Sequence, residues 1–270
     1  IFRSPYLLNA IDNTIVNKID NKLEFEIPPP EYKYLEAEIF YLDNLTIEEL
    51  NKNILLCILD KSDSFHLEQM RNDFITSASH ELKTPLSSII GSIETLKTHE
   101  GDEESITLFL NIIEKQSKRM KNIVDDLLSL SRLEKDDFLV KFLDINLFKV
   151  ISDTIFDLNN LSIKYDVKIK NKISNKFLNI SGDTFLISQA INNLIENAII
   201  YSGKGSLIEI SSDINKENNT LGVIIKDNGI GISSNHIHRL TEKFYRVDDI
   251  KSKDRQATGL GLSIVKNIME

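Results

Sequence analysis

The sequence predicts three consecutive pieces: a small α/β segment over 1–64, a long α-helical hairpin over 65–135, and a two-layer α/β sandwich over 136–270. Apolar residues recur every three or four positions from Leu67 to Leu96 and again from Ile106 to Leu130, the period of amphipathic helices. Short β-rich runs alternate with helical patterns on both sides of that region. The length of 270 residues suits two or three domains. The net charge of −9 argues against nucleic acid as a partner. A single cysteine, Cys57, excludes an intrachain disulfide and any cysteine-rich zinc site, and its apolar surroundings predict a small buried hydrophobe. The longest apolar run, Ile54 to Leu59, is far short of the ~20 residues of a membrane span, so no span is expected in this stretch, although an anchor could precede Ile1.

In the first piece, Ser4 and Pro5 signal a helix start before Tyr6 to Lys18. Lys22 to Ile27 alternates like a strand, Pro28-Pro29-Pro30 is a loop, and Glu36 to Leu42 and Asn53 to Leu59 are β-rich. Asp60-Lys61-Ser62 then leads directly into the long helix. This segment resembles the C-terminal part of a PAS sensor domain feeding a signalling helix. An α/β domain with no ligand is the competing reading.

The first hairpin helix carries its stripe on Leu67, Met70, Phe74, Ala78, Leu82, Pro85, Ile89, Ile93 and Leu96. His80 lies two residues from both Ala78 and Leu82 and so points away from that stripe. Thr84 is one turn along on the same face, and Glu81 is about 100° round from His80. Pro85 cannot donate to the carbonyl of Glu81, which predicts a bend one turn after His80. An imidazole held off the seam with an acid beside it is a candidate nucleophile. After a break at His99-Glu100-Gly101-Asp102, the second helix runs from Glu103 to Glu134 with Ile106, Phe109, Ile113, Gln116, Met120, Ile123, Leu127 and Leu130 in coiled-coil spacing. One apolar seam is too thin to be a core, so two chains are expected to form a four-helix bundle, a homodimer.

The sandwich is expected to run as helix Leu147 to Leu161, strands Asp166 to Lys170 and Lys176 to Ile180, and helix Asp183 to Tyr201. Strands Leu207 to Ile214 and Leu221 to Lys226 follow, joined through a polar turn at Asn215 to Asn219, before a last helix Gly259 to Met269. Asn193 and Asn197 share one face of their helix, and their neutral oxygens suit a hard cation such as Mg²⁺. Asp227-Asn228-Gly229-Ile230-Gly231 follows a strand, and its two glycines let backbone approach a ligand closely. Thr258-Gly259-Leu260-Gly261 opens the last helix, where free N–H groups and the helix dipole favour phosphate.

These motifs resemble those of sensor histidine kinases of two-component systems. Phe74 to Leu86 is similar to their phospho-acceptor box, Asn193 to Ala198 to the N-box, Asp227 to Ile232 and Thr258 to Leu262 to the two glycine boxes, and Phe244 to Asp248 to the F-box. Leu127 to Glu134 resembles the end of the dimerisation domain. Residues flanking the acceptor box look most like PhoR-like phosphate-regulon sensor kinases. The resemblance implies a homodimer that autophosphorylates His80 from ATP and Mg²⁺ and passes the phosphoryl group to a response regulator receiver domain. In it Glu81 would accept the ring proton, and Thr84 would orient a water for dephosphorylation. Asn197 would hold the metal, Asp227 would take the adenine amino group, and Tyr201 would flank the base. Asn193, Arg246 and the backbone of Gly229, Gly231, Thr258, Gly259, Leu260 and Gly261 would line the nucleotide. The setting implied is the cytoplasmic portion of a membrane-anchored bacterial sensor.

The chain departs from the family pattern in places. Ile200 stands where the family has a phosphate-side lysine, with Lys204 nearby as a substitute; Thr241 replaces a phenylalanine; Gln256 and Ala257 replace glycines at the end of a polar lid from Asp249 to Ala257. The family continues past Glu270 with two strands, so the sandwich reads as cut short, leaving Leu262, Ile264, Val265 and Ile268 with part of their cover missing. Three alternatives stay open: an impaired pseudokinase or phosphatase scaffold, an ATPase of the related chaperone and repair superfamily that has no use for His80, and a ligand-binding sensor module.

Overall fold

A computed structural model describes residues 4–28, 32–42, 54–98, 102–135, 138–173, 179–215, 220–247 and 258–270. Pro29 and Pro30, the His99–Gly101 break, most of the 215–219 turn, and the lid with Gln256 and Ala257 lie outside the described residues. The chain divides into two compact units, 1–76 and 77–270, each described by itself.

In the first unit, helix α1 (Pro5–Asn17) packs on an antiparallel sheet of β1 (Asn21–Ile27), β2 (Lys33–Tyr41) and β3 (Ile54–Asp60) in the order β1-β2-β3. Pro5 at the first helical position uses its fixed φ where no N–H is needed, and Lys18 ends the helix in the left-handed region at φ 58°. Leu7 and Ala10 meet Phe25, Leu35, Ala37 and Ile39 as the core. On the other side of β2, the buried Glu36 bridges Lys22 at 3.0 Å and Lys61 at 2.7 Å. β3 is an edge strand, so Cys57 is only half-buried rather than the core residue its apolar run predicts.

Helix α2 (Ser62–Thr98) runs continuously through Pro85, and α3 (Glu103–Leu133) returns after a short connection. Asp102 caps α3, its carboxylate accepting from the Ser105 N–H at 3.0 Å. Glu81 and Arg119 lie about equally far from the connection and pair at 2.7 Å, which makes the two helices antiparallel. Buried positions are sparse: Pro85 and Ser92 on α2, Ile123 and Leu130 on α3. The expected stripe is half open in the single chain, with Ile93 39% and Ile106 41% exposed.

Beyond the hairpin, β4 (Leu143–Asn146) pairs antiparallel with β6 (Asn179–Gly182). A second sheet runs β5-β7-β8, with β5 (Lys168–Asn171) parallel to β7 (Leu207–Asn215) and β8 (Thr220–Asp227) antiparallel to it. Helices α4 (Leu147–Asp157), α5 (Asn159–Tyr165) and α6 (Thr184–Ser202) supply the other layer, and Ile151, Ile195, Ile199, Ile208 and Ile210 form its fully buried centre. The single helix expected over Leu147 to Leu161 is two, broken at Leu158, whose N–H bonds back to the Thr154 carbonyl. β4 and the one-turn α7 (Ser234–Ile237) carry no clear period and are missing from the sequence reading. The last helix, α8 (Gly261–Met269), packs on α6 and α3. Of the four residues expected to have part of their cover missing, Ile264 is instead fully buried there, while Leu262, Val265 and Ile268 are half-buried.

Candidate functional site: a nucleotide cleft on α6 and an exposed histidine on α2

The cleft is organised along α6. Asp183 starts that helix, its carboxylate accepting from the Phe185 and Leu186 N–H groups, and this end cap fixes which residues face outward from the core. Ile191, Ile195, Ala198 and Ile199 turn inward, leaving Asn193, Asn197 and Tyr201 half-buried along the exposed edge. Asn193 and Tyr201 are separated by about 12 Å of helix axis.

One glycine turn meets each end of that span. At the Tyr201 end, a side chain on Gly229 would place Cβ 2.5 Å from the Cα of Ser202, so only glycine lets the loop after β8 lie against α6. Asp227 shapes the loop by accepting from the Gly229 N–H at 2.9 Å, and Asn228 accepts from the Leu207 N–H at 2.8 Å. The Asp227 carboxylate itself stays exposed. Gly231, at φ 70°, has nothing within 4 Å of its notional Cβ and faces open space.

At the Asn193 end, Gly259 adopts φ 77°, and a Cβ there would lie 2.9 Å from the Phe244 backbone. Phe244, itself at φ 62°, donates its N–H to the Gly259 carbonyl at 2.9 Å. This joins the F-box segment to the second glycine turn and leaves Arg246 half-buried two residues on. Asn193 donates through Nδ2 to the Gly261 carbonyl at 3.3 Å, and its side chain stands 3.6 Å from the notional Gly261 Cβ. Thr258 accepts from the Leu260 N–H at 3.2 Å, and Leu260 is fully buried beneath the turn. The Asn197 carboxamide makes no side-chain hydrogen bond among the described residues, so its oxygen is available to a hard cation. The two turns, the two asparagines and the α8 N-terminus suit a nucleoside triphosphate with a divalent cation.

Ile200 is 4% exposed and belongs to the core, so the position where the family carries lysine cannot reach phosphate; Lys204 is exposed in the turn after α6, and Thr241 is exposed. His80 is exposed on α2, away from the seam as expected. Its neighbours are engaged differently from the sequence reading. Glu81 is held by Arg119 rather than by the imidazole, and the Thr84 hydroxyl donates to the carbonyl of His80 at 3.2 Å, one turn back on its own helix.

Sequence reasoning missed three acidic or basic groups beside these motifs. Arg119 lies next to the seam positions Gln116 and Met120 and reads as an ordinary hairpin cation. Asp126 of α3 accepts from the Thr258 hydroxyl at 2.8 Å, linking the helical hairpin to the second glycine turn. Burial lifts its carboxyl above the ordinary carboxylate range, opposed by the Thr258 hydroxyl and aided by the Asp125 charge. Glu196 of α6 is raised for the same first reason, burial, and then by the Asp126 charge. Only the side-by-side placement of α3, α6 and α8 marks these acids.

The family model described as the His Kinase A (phospho-acceptor) domain matches residues 70–136, and that of the histidine kinase-, DNA gyrase B- and HSP90-like ATPase matches residues 182–270. Sensor-like histidine kinase SenX3 of Mycobacterium tuberculosis is 31% identical over 224 residues, 83% of this chain and 54% of that protein. Sensor histidine kinase WalK of Bacillus subtilis is 30% identical over 218 residues, 80% of this chain and 36% of its own. The chain thus spans about half the length, or less, of these relatives. Among solved structures, the Acinetobacter baumannii histidine kinase AdeS aligns with a TM-score of 0.52 at 25% identity, over 70% of this chain and 85% of that one. Histidine kinase ThkA, solved in complex with response regulator protein TrrA, shares the fold with a TM-score of 0.55 at 21% identity, over 90% of this chain and 74% of that one.

Proposed function

The chain belongs to the sensor histidine kinases, and from that membership we propose that it transfers the terminal phosphoryl group of ATP to His80 and then to an aspartate of a response regulator receiver domain. The observation that carries this reading is the convergence on α6 of both glycine turns and both asparagines, with an exposed histidine on a hairpin helix of the same unit. The adenine would lie at the Asp227 and Tyr201 end, with Gly229 and Gly231 giving close backbone approach. The phosphates would lie at the α8 N-terminus, where N–H groups from Gly259 to Gly261 and the Arg246 side chain offer positive charge. Mg²⁺ would supply charge neutralisation there, held by the Asn197 oxygen with Asn193 beside it.

In the transfer, a ring nitrogen of His80 forms the new P–N bond as the bond to ADP breaks. The proton on the other ring nitrogen is taken by Glu81, once that carboxylate exchanges Arg119 for the imidazole. The phosphoryl group next passes to the receiver carboxylate, forming a P–O bond as the P–N bond breaks, and Glu81 returns the proton to restore the neutral ring. Thr84, on the same face as His80, would turn its hydroxyl outward to position a water for hydrolysis of the receiver phosphate.

Exposed apolar residues along the hairpin, Leu86 at 47%, Ile90 at 47% and Leu128 at 52%, support a second copy of the chain as the partner that closes the bundle. The three-stranded sheet with α1 supports a PAS-like sensing segment. Among the described residues no helix is long and apolar enough to cross a membrane, and we place this portion on the cytoplasmic side, where ATP and receiver domains are found. The phosphate-regulon assignment remains a proposal resting on residues 67–74 and 93–96.

Incubation of the purified chain with ATP labelled on its terminal phosphate tests the reading. An acid-labile label on the wild type that disappears in His80→Ala supports it. ATP turnover unchanged by His80→Ala, with no labelled protein, overturns it in favour of an ATPase that has no use for the histidine.

A further inference from the structure

We propose that Asp126 is an internal competitor of the nucleotide's phosphates: its carboxylate docks the α8 N-terminal turn onto α3 and excludes triphosphate until the contact opens. The proposal rests on the nucleotide reading above and adds a regulator to that site. Asp126 accepts from the Thr258 hydroxyl at 2.8 Å, and the same hydroxyl accepts from the Leu260 N–H at 3.2 Å. The carboxylate is therefore one hydroxyl away from the backbone groups that would receive phosphate. Phosphate brought to that turn would share it with a carboxylate largely removed from water, with the Asp125 and Glu196 acids close enough to act on it or respond to it. Two anions in one poorly hydrated site repel, and a contact that excludes a ligand is by reciprocity loosened by that ligand.

A second contact across the same junction joins Lys243, next to the Phe244 that bonds Gly259, to Glu134 just past the end of α3 at 2.6 Å. The docking level also matters. Asp126 lies two helical turns past Arg119, the residue that pairs with Glu81 beside His80, which puts the docked turn about 10 Å along the hairpin from the acceptor's level. A catalytic domain held there has its phosphate turn both occupied by an anion and displaced from the histidine. Nucleotide binding and release toward His80 then become one event.

Calorimetric titration of the full chain tests this with Mg-ATP and, separately, with adenosine, which carries no phosphate. Asp126→Asn keeps the side-chain volume and a hydrogen-bond acceptor but removes the charge; Asp126→Ala removes the contact as well. Both variants are expected to bind ATP roughly tenfold more tightly than wild type, within the 5- to 150-fold range of such couplings, and adenosine within about twofold of wild type. Unchanged or weaker ATP binding overturns the proposal, the weaker result assigning Asp126 to holding the metal instead. An equal gain for adenosine also overturns it, because a general change in the domain would then be the cause. Absence of ATP binding in all three proteins would instead reject the nucleotide reading itself.

Discussion

Replacing Gly229 by alanine drives a methyl group into the backbone of α6. The new Cβ would stand 2.5 Å from the Ser202 Cα and 2.8 Å from the Asp227 carboxylate, whereas non-bonded carbons settle near ~3.5–4 Å. Ser202 is main chain in a buried helix end, so the loop, not the helix, has to move. Overpacking of this kind costs about 1–3 kcal/mol. With roughly 3 °C per kcal/mol for a domain of this size, the melting temperature should fall by about 3–9 °C. The displaced loop carries Asp227 away from the Tyr201 end of the cleft, and ATP affinity should fall at least about tenfold. Gly91→Ala is the matched control. Its notional Cβ meets nothing within 4 Å in the middle of α2, and removing glycine there should stabilise by about 0.5–1 kcal/mol with ATP affinity unchanged. Thermal melts and ATP titrations of the two variants are sufficient. A Gly229→Ala protein that melts and binds like wild type would refute both the close approach and the role of this loop in the site.

Asn197→Ala should weaken Mg-ATP binding several-fold while leaving adenosine binding near wild type, read by titration with and without Mg²⁺; equal loss for both ligands would contradict a metal role. Ile264→Ala empties a fully buried site between α8, α6 and α3 and should cost about 2–5 kcal/mol in denaturant unfolding, whereas a value below ~1 kcal/mol would mean the helix is not anchored as described. Asp60, whose carboxyl is held down at about 2 by the Ser62 hydroxyl, then Lys33 and the Ser62 N–H, is more acidic folded than the usual 3.8. Its ionised form therefore favours the fold above about pH 4, and that contribution is lost as pH falls through 2. Acid titration followed by circular dichroism should show an acid limb in the wild type that is reduced in Asp60→Asn, and identical limbs would contradict the assignment.

Periodicity made the long elements legible because α2, α3 and α6 repeat their apolar stripes over many turns, enough to fix both existence and facing. The glycine turns were legible because their chemistry is local: Gly229 and Gly259 sit where a Cβ would strike backbone. Elements of four residues were not, since β4 and α7 are too short to show a period. Leu158 interrupts a predicted helix because its ψ of 1° leaves the helical region, and no glycine or proline announces it. The partners of Glu81 and Asp126 were invisible for a different reason. Each is defined by a partner far along the chain, Arg119 and Thr258, and a charged residue on a helix surface reads the same in sequence whether it is solvated or paired. The cover of Ile264 was misjudged likewise, because α3 supplies part of it from more than a hundred residues away.

The cleft on α6 is proposed to phosphorylate the histidine on α2. Phosphorus NMR of the chain after incubation with Mg-ATP, followed by peptide mapping, tests it most directly. A phosphoramidate signal is expected that maps to His80, is stable to alkali and lost in acid, is reduced in Asn197→Ala and is absent from His80→Ala. A phosphoryl group on another residue, or no phosphoramidate from a chain shown to bind ATP, would contradict it.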